Sequence, residues 1–291
     1  MNNILRDISG RIDPEIITVL RNITNVANEL SIPFFVVGAF ARDVIFEHIH
    51  GIPTARATRD IDIGVEVASW DAFEVLTGTL VTRGHFMATR QPYRFEAKPS
   101  LTLVDIVPYG AISDETMQIS WPPDHERVMS MLGFEEAYQS ALTVRLSKEP
   151  SLEVLVPSMA ALTLLKIISW EDAYPRRSRD AIDLLFMLHN CSKVQDMQVK
   201  LYESYRNLLE QEGFDPDLAA VRLLGQEISQ IGSMETRHAV QDILARESDE
   251  NGELRLIRDM TRGVSMQNSR FEHALQLLKK LLQGMQDKNA E

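Results

Sequence analysis

Two aspartates stand two residues apart in a segment that otherwise has the composition of a buried strand. Residues 59–65 read Arg-Asp-Ile-Asp-Ile-Gly-Val, and the two carboxylates belong to Asp60 and Asp62. In an extended strand, residues i and i+2 project from the same face, about 6.6 to 7 Å apart. Two ionised carboxylates at that separation repel each other and are costly to desolvate unless a cation lies between them. Divalent metal ions meet that requirement, and a pair of them suits phosphoryl-type transfer.

A bare Asp-x-Asp more often marks an edge strand whose polar face lies in water, so the neighbouring segments decide its meaning. Residues 36–39, Val-Val-Gly-Ala, end an apolar run and begin a helical pattern. Small residues at such a junction let an anion approach the free backbone N–H groups. Residues 101–108, Leu-Thr-Leu-Val-Asp-Ile-Val-Pro, form another apolar strand with a single carboxylate, Asp105. Asp105 shares a face with leucine and valine, so we expect it to reach a metal ion or a partner cation.

Hydrophobic periodicity divides the chain into a mixed first part and a helical second part. In the first part it predicts helices over 14–30, 39–49 and 69–82, and strands over 34–37, 59–66, 85–90, 93–97, 101–107, 141–147 and 152–155. Between 108 and 126, Gly, Pro, Asp and Ser predict an irregular loop. In the second part it predicts helices alone, over 158–170, 178–190, 194–211, 215–231, 234–247 and 269–284. We therefore predict an α+β fold, with a mixed sheet and flanking helices in residues 1–156 and an all-helical domain in residues 157–291.

The composition limits the classes of partner. The 291 residues are 44% hydrophobic and carry a formal net charge of −12, so a general nucleic-acid binder is excluded and any nucleic-acid contact must come from a local patch. The single cysteine, Cys191, rules out an internal disulfide framework and favours a reducing, cytoplasmic location. We expect no signal peptide, because the N-terminus lacks a continuous apolar stretch, and no membrane span, because no apolar run approaches roughly 18 residues.

The glycine at a helix start, the Asp-x-Asp strand and the later lone aspartate together resemble the nucleotidyltransferase (DNA polymerase β-like) superfamily. The segments Val-Gly-Ala-Phe-Ala-Arg-Asp (37–43) and Thr-Arg-Asp-Ile-Asp-Ile (58–63) are most similar to the AbiEii-type nucleotidyltransferases. These are the toxins of type IV toxin–antitoxin systems and include the MenT toxins. The resemblance covers residues 34–107 and continues in a later helix pair, where Lys166 and Asp180 match a lysine and an aspartate of the family.

The resemblance implies an enzyme with an NTP substrate and two Mg²⁺ ions. The catalytic residues it implies are Asp60, Asp62, Asp105, Lys166 and Asp180. The first three would also be the metal ligands, and Asp105 would help to deprotonate the attacking hydroxyl. Nucleotide contacts are implied for Gly38, Ala39, Arg42, Arg59 and Lys166.

The chain departs from the family pattern in two places. Gly38-Ala39 stands where the family usually has Gly-Gly or Gly-Ser, so a side-chain hydroxyl toward the phosphates is missing. The 22 residues from Gly38 to Asp60 exceed the commonest spacing. The longer spacing predicts an extended loop, with Arg56 and Arg59 facing the nucleotide.

The helix pair also permits simpler interpretations. A lysine within an apolar helix often extends to the surface, as Lys166 could, and would then have no catalytic part. Asp180 and Asp183, with Arg176, Arg177 and Arg179, could form a solvated start of a helix. In the functional interpretation Asp180 orients Lys166 or the acceptor, and the three arginines contact phosphates.

The acceptor is the least determined feature of the sequence. The resemblance favours transfer of NMP to the 3′ end of tRNA by a toxin that has a cognate antitoxin protein. Transfer to a small molecule or to a partner protein stays open, and CCA addition is also open because Val-Gly-Ala-x-x-Arg-Asp followed by Asp-Ile-Asp-Ile resembles those enzymes. A non-catalytic nucleotide-binding module is disfavoured, because unused carboxylates at Asp60 and Asp62 would only cost stability.

Overall fold

The computed structural model describes residues 5–54, 58, 60–262 and 268–287. The chain divides into two compact units, Met1–Ser158 and Met159–Glu291. The first unit combines strands with helices, whereas the elements described in the second unit are all helical. The expected α+β fold is confirmed. None of the described helices is both long and apolar enough to cross a membrane.

The first unit contains the sheets. Its described strands are β1 (Arg6–Asp7), β2 (Phe34–Val37), β3 (Ile61–Glu66), β4 (Phe86–Ala88), β5 (Arg94–Ala97), β6 (Leu103–Tyr109), β7 (Gln118–Ser120), β8 (Val128–Ser130), β9 (Leu142–Ser147) and β10 (Leu152–Val156). Its described helices are α1 (Pro14–Leu30), α2 (Gly38–Asp43), α3 (Trp70–Thr82) and α4 (Phe134–Gln139), and α2 continues as a π-helical stretch, Val44–Ile49.

The central sheet has five strands in the order β2-β3-β6-β5-β4. Strand β3 runs antiparallel to β2 and parallel to β6, and β6 pairs antiparallel with β5. A three-stranded sheet, β1-β9-β10, and the β7-β8 hairpin complete the unit. Strand β3 is therefore an interior strand of its sheet, and the interpretation of Asp-x-Asp as an exposed edge strand is wrong.

Alternation along β3 separates an apolar face from a polar one. Ile61, Ile63 and Val65 are buried, while Asp62 on the opposite face is half-buried. Asp60 is also half-buried and lies directly before the strand. The hydrophobic effect therefore fixes the register of β3, because a shift of one residue would bury the carboxylate and expose the isoleucines.

The second unit consists of packed helices. They are α5 (Met159–Ala173), α6 (Arg179–Asn190), α7 (Gln195–Val199), α8 (Arg206–Gln211), α9 (Pro216–Ile231), α10 (Met234–Ser248), α11 (Arg255–Met260) and α12 (Asn268–Gln286). A 3-10 turn, Cys191–Lys193, follows α6, and a π-helical stretch, Lys200–Ser204, follows α7.

The structure corrects the predicted elements in three places. The helix expected over 194–211 is broken into α7, a π-helical stretch and α8. The loop expected over 108–126 contains β7, which pairs with β8. The short elements β1, α4 and α11 were not predicted, because segments of two to six residues are too short to establish a period.

Helices α9 and α12 cross in backbone contact, and this crossing depends on two glycines. A Cβ on Gly284 would lie 1.9 Å from the backbone oxygen of Arg222, and one on Gly225 would lie 2.2 Å from that of Leu281. Neither backbone can yield without a shift of the whole helix. The two glycines therefore set the distance between the helices that form the core of the second unit.

We expect Gly284→Ala to lower the free energy of unfolding by about 1–3 kcal/mol, because the added methyl group forces two packed helices apart. Gly78 in α3 is the matched control, since it is helical and a Cβ there meets nothing within 4 Å. Gly78→Ala should stabilise the protein by about 0.5–1 kcal/mol. Urea unfolding followed by circular dichroism measures both changes. Equal effects of the two substitutions would show that close packing of α9 on α12 does not require glycine at position 284.

Candidate active site

The register of the central sheet places Val37, Asp62, Asp105 and Arg94 in one row across four strands. Val37 of β2 pairs with Asp62 of β3, and Asp62 pairs with Asp105 of β6. Asp105 in turn pairs with Arg94 of β5. Neighbouring strands lie about 4.8 Å apart, so the carboxylates of the lone aspartate and of the Asp-x-Asp strand are direct neighbours. We call Asp60, Asp62 and Asp105 the carboxylate cluster.

Gly38 follows Val37 at the start of α2 and packs directly on the carboxylate cluster. Its φ of +70° lies in the left-handed region, which side chains disfavour. A Cβ on Gly38 would lie 2.0 Å from Oδ2 of Asp62. The chain therefore needs glycine here for two independent reasons. Ala39, the next residue, lies half-buried in the first turn of α2.

Arg94 is a member of the site that the sequence analysis missed. Its Nε donates to Oδ1 of Asp105 at 2.7 Å, and its Nη2 donates to Oδ2 at 2.7 Å. These hydrogen bonds are the main reason why the pKa of Arg94 lies well above its ordinary value. Asp105 thus has the partner cation that its apolar strand implied. The signal in the sequence was the short connection between the strands predicted over 93–97 and 101–107, since a connection this short can join only antiparallel neighbours.

Arg42 is directed into the unit. It is buried, at 4% exposure, and its Nε and Nη2 donate to Oδ1 of Asp43 at 2.9 and 2.5 Å. The other oxygen of Asp43 accepts from the backbone N–H of Thr58 at 3.3 Å. The pair therefore connects α2 to the segment that precedes the carboxylate cluster. Contact between Arg42 and a nucleotide stays a prediction, and Arg56 and Arg59 lie outside the described residues.

In the second unit, Lys166 of α5 lies between two aspartates of α6. Its Nζ donates to Oδ1 of Asp180 and to Oδ2 of Asp183, both at 2.8 Å. Lys166 is 5% exposed, and both aspartates are 6% exposed. The interpretations of a surface-reaching lysine and of a solvated helix start are therefore wrong. The contact between Lys166 and Asp180 is present, and the catalytic part of both residues stays a prediction.

Opposing effects determine the ionisation of this buried cluster. Burial favours neutral Lys166, but the charges of Asp180 and Asp183 outweigh it and raise the pKa of Lys166. Burial likewise favours neutral Asp180, but Lys166 and Arg177 outweigh it and lower the pKa of Asp180. The stabilisation by the cluster is therefore lost at low pH, as the pH falls through the lowered pKa of Asp180. It is also lost at high pH, as the pH rises through the raised pKa of Lys166.

The arginines between α5 and α6 present charge to solvent. Arg176, Arg177 and Arg179 are exposed. Arg177 is partly engaged, since its Nη2 lies 2.7 Å from Oδ2 of Asp180 and donates to Oγ of Ser169 at 2.7 Å. Arg176 donates to the backbone oxygen of Asp172 at 3.3 Å. This segment is a local basic patch in a chain whose formal net charge is −12.

The donor set of the carboxylate cluster suits a hard divalent cation, because Mg²⁺ prefers oxygen ligands. Asp62 presents its carboxylate against the bare backbone of Gly38, in space that a Cβ would otherwise fill. Asp105 turns both oxygens toward Arg94. Across the described ranges, no three His, Cys, Asp or Glu side chains are gathered closely enough to hold a metal ion.

A mixed sheet with aspartates on adjacent parallel strands, beside a glycine-led helix, is the arrangement of a nucleotidyltransferase. A family model described as "Nucleotidyl transferase AbiEii toxin, Type IV TA system" matches residues 27–276. The chain belongs to this family and is a nucleotidyltransferase. No curated protein matches it.

Several solved structures are similar at low identity. The antibiotic-resistance factor ANT(2'')-Ia in solution is 17% identical with a TM-score of 0.35, over 69% of this chain and 99% of that one. A CCA-adding enzyme in apo form II is 15% identical with a TM-score of 0.31, over 94% and 82% of the two chains. The Thermotoga maritima CCA-adding enzyme complexed with tRNA is 15% identical with a TM-score of 0.26, over 95% and 82%.

We expect Gly38→Ala to abolish nucleotidyl transfer, because its methyl group would displace the Asp62 carboxylate. Gly84 is the matched control: its φ is +77°, and a Cβ there meets nothing within 4 Å. Both substitutions should cost about 1–2 kcal/mol of stability from the left-handed backbone. Only Gly38→Ala should lose activity in a transfer assay. Equal activity of the two variants would show that contact with Asp62 is unimportant.

Lys166→Met should lower the free energy of unfolding by about 3–5 kcal/mol, because it removes the buried cation that Asp180 and Asp183 share. The triple variant Lys166→Met, Asp180→Asn, Asp183→Asn removes the charges together and should recover much of that loss. Urea unfolding at neutral pH compares the two. A midpoint of Lys166→Met equal to that of the wild type would contradict a buried ion cluster. Because of this stability cost, activity lost in Lys166→Met alone does not assign a catalytic role to Lys166.

Proposed function

We propose that this enzyme transfers NMP from an NTP to the 3′ hydroxyl of RNA, with tRNA as the acceptor, and acts as the toxin of a toxin–antitoxin pair. The observation that carries nucleotidyl transfer is the pairing of Asp62 with Asp105 on adjacent strands, with Gly38 packed on Asp62. The match to the AbiEii family supports the toxin role and a cognate antitoxin. The exposed arginines at 176, 177 and 179 support an anionic acceptor.

In the proposed reaction the acceptor oxygen attacks the α-phosphorus of the NTP as the bond to the β-phosphate oxygen breaks, and pyrophosphate leaves. The carboxylate cluster fixes the position of the reacting groups, which is the main source of rate enhancement in phosphoryl-type transfer. We assign the hydroxyl proton to Asp105. We place the nucleotide beside Gly38 and Ala39, where the missing side chain of Gly38 lets the Asp62 carboxylate lie directly against the backbone.

The oxygen donors of this site are those that a divalent cation prefers, and Asp60, Asp62 and Asp105 are the residues that would hold it. When bound, Mg²⁺ would neutralise the negative charge that develops on the phosphate oxygens. We assign Lys166 and Asp180 to the reaction because the family match, over residues 27–276, includes both.

The acceptor is tested by incubating the purified protein with each α-labelled NTP and total RNA. Label should enter RNA, and it should be absent with Asp62→Asn. Periodate destroys the terminal ribose diol, so pre-oxidised RNA should not be labelled. Label on oxidised RNA would contradict a 3′ hydroxyl acceptor and indicate another position on RNA. Label on protein alone would favour a protein acceptor.

The basic patch is tested with Arg176→Gln and Arg179→Gln combined, which leaves the contact between Arg177 and Asp180 intact. Each phosphate contact that is lost should reduce the salt dependence of RNA binding by about one unit of log-log slope. Arg206 and Arg270 provide the control pair, because both are exposed residues of the same unit. An equal effect of the two pairs would show that RNA does not bind at the patch.

A further inference from the structure

Arg94 holds Asp105 in a geometry that a divalent cation would have to disturb. Two parallel hydrogen bonds of 2.7 Å engage both carboxylate oxygens. The side chain of Asp105 is 15% exposed and that of Arg94 is 30% exposed. Bidentate pairs of this kind are strong, because both hydrogen bonds are charge-assisted and the planar fork matches the carboxylate. Asp105 is thus already neutralised before any ligand binds.

The ion pair between Arg94 and Asp105 lies next to the strand that contains Asp62, so it also affects the charge of the proposed metal site. Asp105 is the direct register partner of Asp62, and Asp60 shares the polar face of the same segment. The neighbouring carboxylates of Asp62 and Asp105 repel each other, and a cation at Asp105 lowers that repulsion. A guanidinium stays protonated over the whole physiological pH range, so it neutralises permanently.

We propose that Arg94 is a tethered counter-cation that competes with the divalent metal ion for Asp105. The inference rests on the proposed function, in which the carboxylate cluster binds that ion. A metal ion on Asp105 must either displace a hydrogen bond to Arg94 or share the carboxylate with the guanidinium, and two cations on one carboxylate repel each other. In the absence of nucleotide, Arg94 therefore weakens metal binding.

The same competition couples the metal ion to the nucleotide. A guanidinium released from Asp105 needs another anion, and triphosphate oxygens are suitable partners because they accept the same planar fork. NTP thus lowers the cost of releasing Asp105, and metal and nucleotide bind more tightly together than either binds alone. The competition makes the enzyme acquire its metal ion together with its substrate.

A second pair in the same unit provides a matched control. Arg145 of β9 pairs in register with Glu153 of β10, and its Nε and Nη2 donate to Oε1 at 3.0 and 2.7 Å. The exposures of 31% and 39% resemble those of the Arg94 pair, but Arg145 lies in a different sheet from the carboxylate cluster. Arg145→Met therefore removes a cross-strand ion pair without removing the proposed competitor.

The test is calorimetric titration of nucleotide-free protein with Mn²⁺. Arg94→Met should bind Mn²⁺ roughly 10-fold or more tightly than the wild type, the equivalent of one strong charged hydrogen bond. Arg145→Met should match the wild type. Arg94→Lys keeps the charge but loses the fork, so its affinity should lie between those of the wild type and Arg94→Met. It also serves as the second variant if Arg94→Met does not fold. With a non-hydrolysable NTP analogue present, Mn²⁺ affinity should rise more in the wild type than in Arg94→Met.

Two results would overturn the inference, and they differ in what they say about the proposed function. If Arg94→Met and Arg94→Lys bind Mn²⁺ within two-fold of the wild type while the wild type shows metal-dependent transfer, the competition is absent and the proposed function stands. If no variant binds Mn²⁺, with or without the analogue, both the competition and the proposed metal site fail.

Discussion

Asp62 and Asp105 place carboxylates side by side on neighbouring strands, and their mutual repulsion is the constraint that the central sheet must meet. A sheet interior is a poor place for such a group, since charges are costly to remove from water unless they are paired. The fold reduces the cost of these charges at both aspartates. The polar face of β3 keeps Asp62 only half-buried, and Arg94 on β5 neutralises Asp105. An unpaired cluster in the same place would work against the hydrophobic stabilisation that Ile61 and Ile63 provide.

The same arrangement explains why a backbone without a side chain is needed at Gly38. Strand β2 ends beside Asp62, and the chain must turn into α2 without covering that carboxylate. A positive φ and a missing Cβ achieve both. Arg42 and Asp43, buried within α2, then anchor the segment at Thr58. The glycine, the ion pair and the strand register therefore act on one small region, where we propose that nucleotidyl transfer takes place.

The second unit contains a different solution to the problem of buried charge. Lys166, Asp180 and Asp183 are all nearly inaccessible, and each finds its partner within the helix pair α5–α6. Such clusters are weak sources of net stability, because desolvation offsets most of the attraction, but they are very sensitive to the loss of one member. This asymmetry requires Lys166 and both aspartates to be present together. It also explains how a lysine can occupy the middle of an apolar helix without reaching the surface.

The sequence by itself determined the elements that have a long period and the residues that have an unusual type for their surroundings. Helices α1 and α3, the strand with Asp62 and the lone Asp105 were all predictable, because hydrophobic periodicity and a misplaced charge are local signals. The break of the helix over 194–211 into shorter pieces was not predictable, since no proline or glycine marks it in the sequence. Only the tertiary structure decided which charged residues contact one another. Which strands and helices become neighbours cannot be specified by residue type. It decides the pairing of Asp105 with Asp62 and Arg94, and of Lys166 with two aspartates.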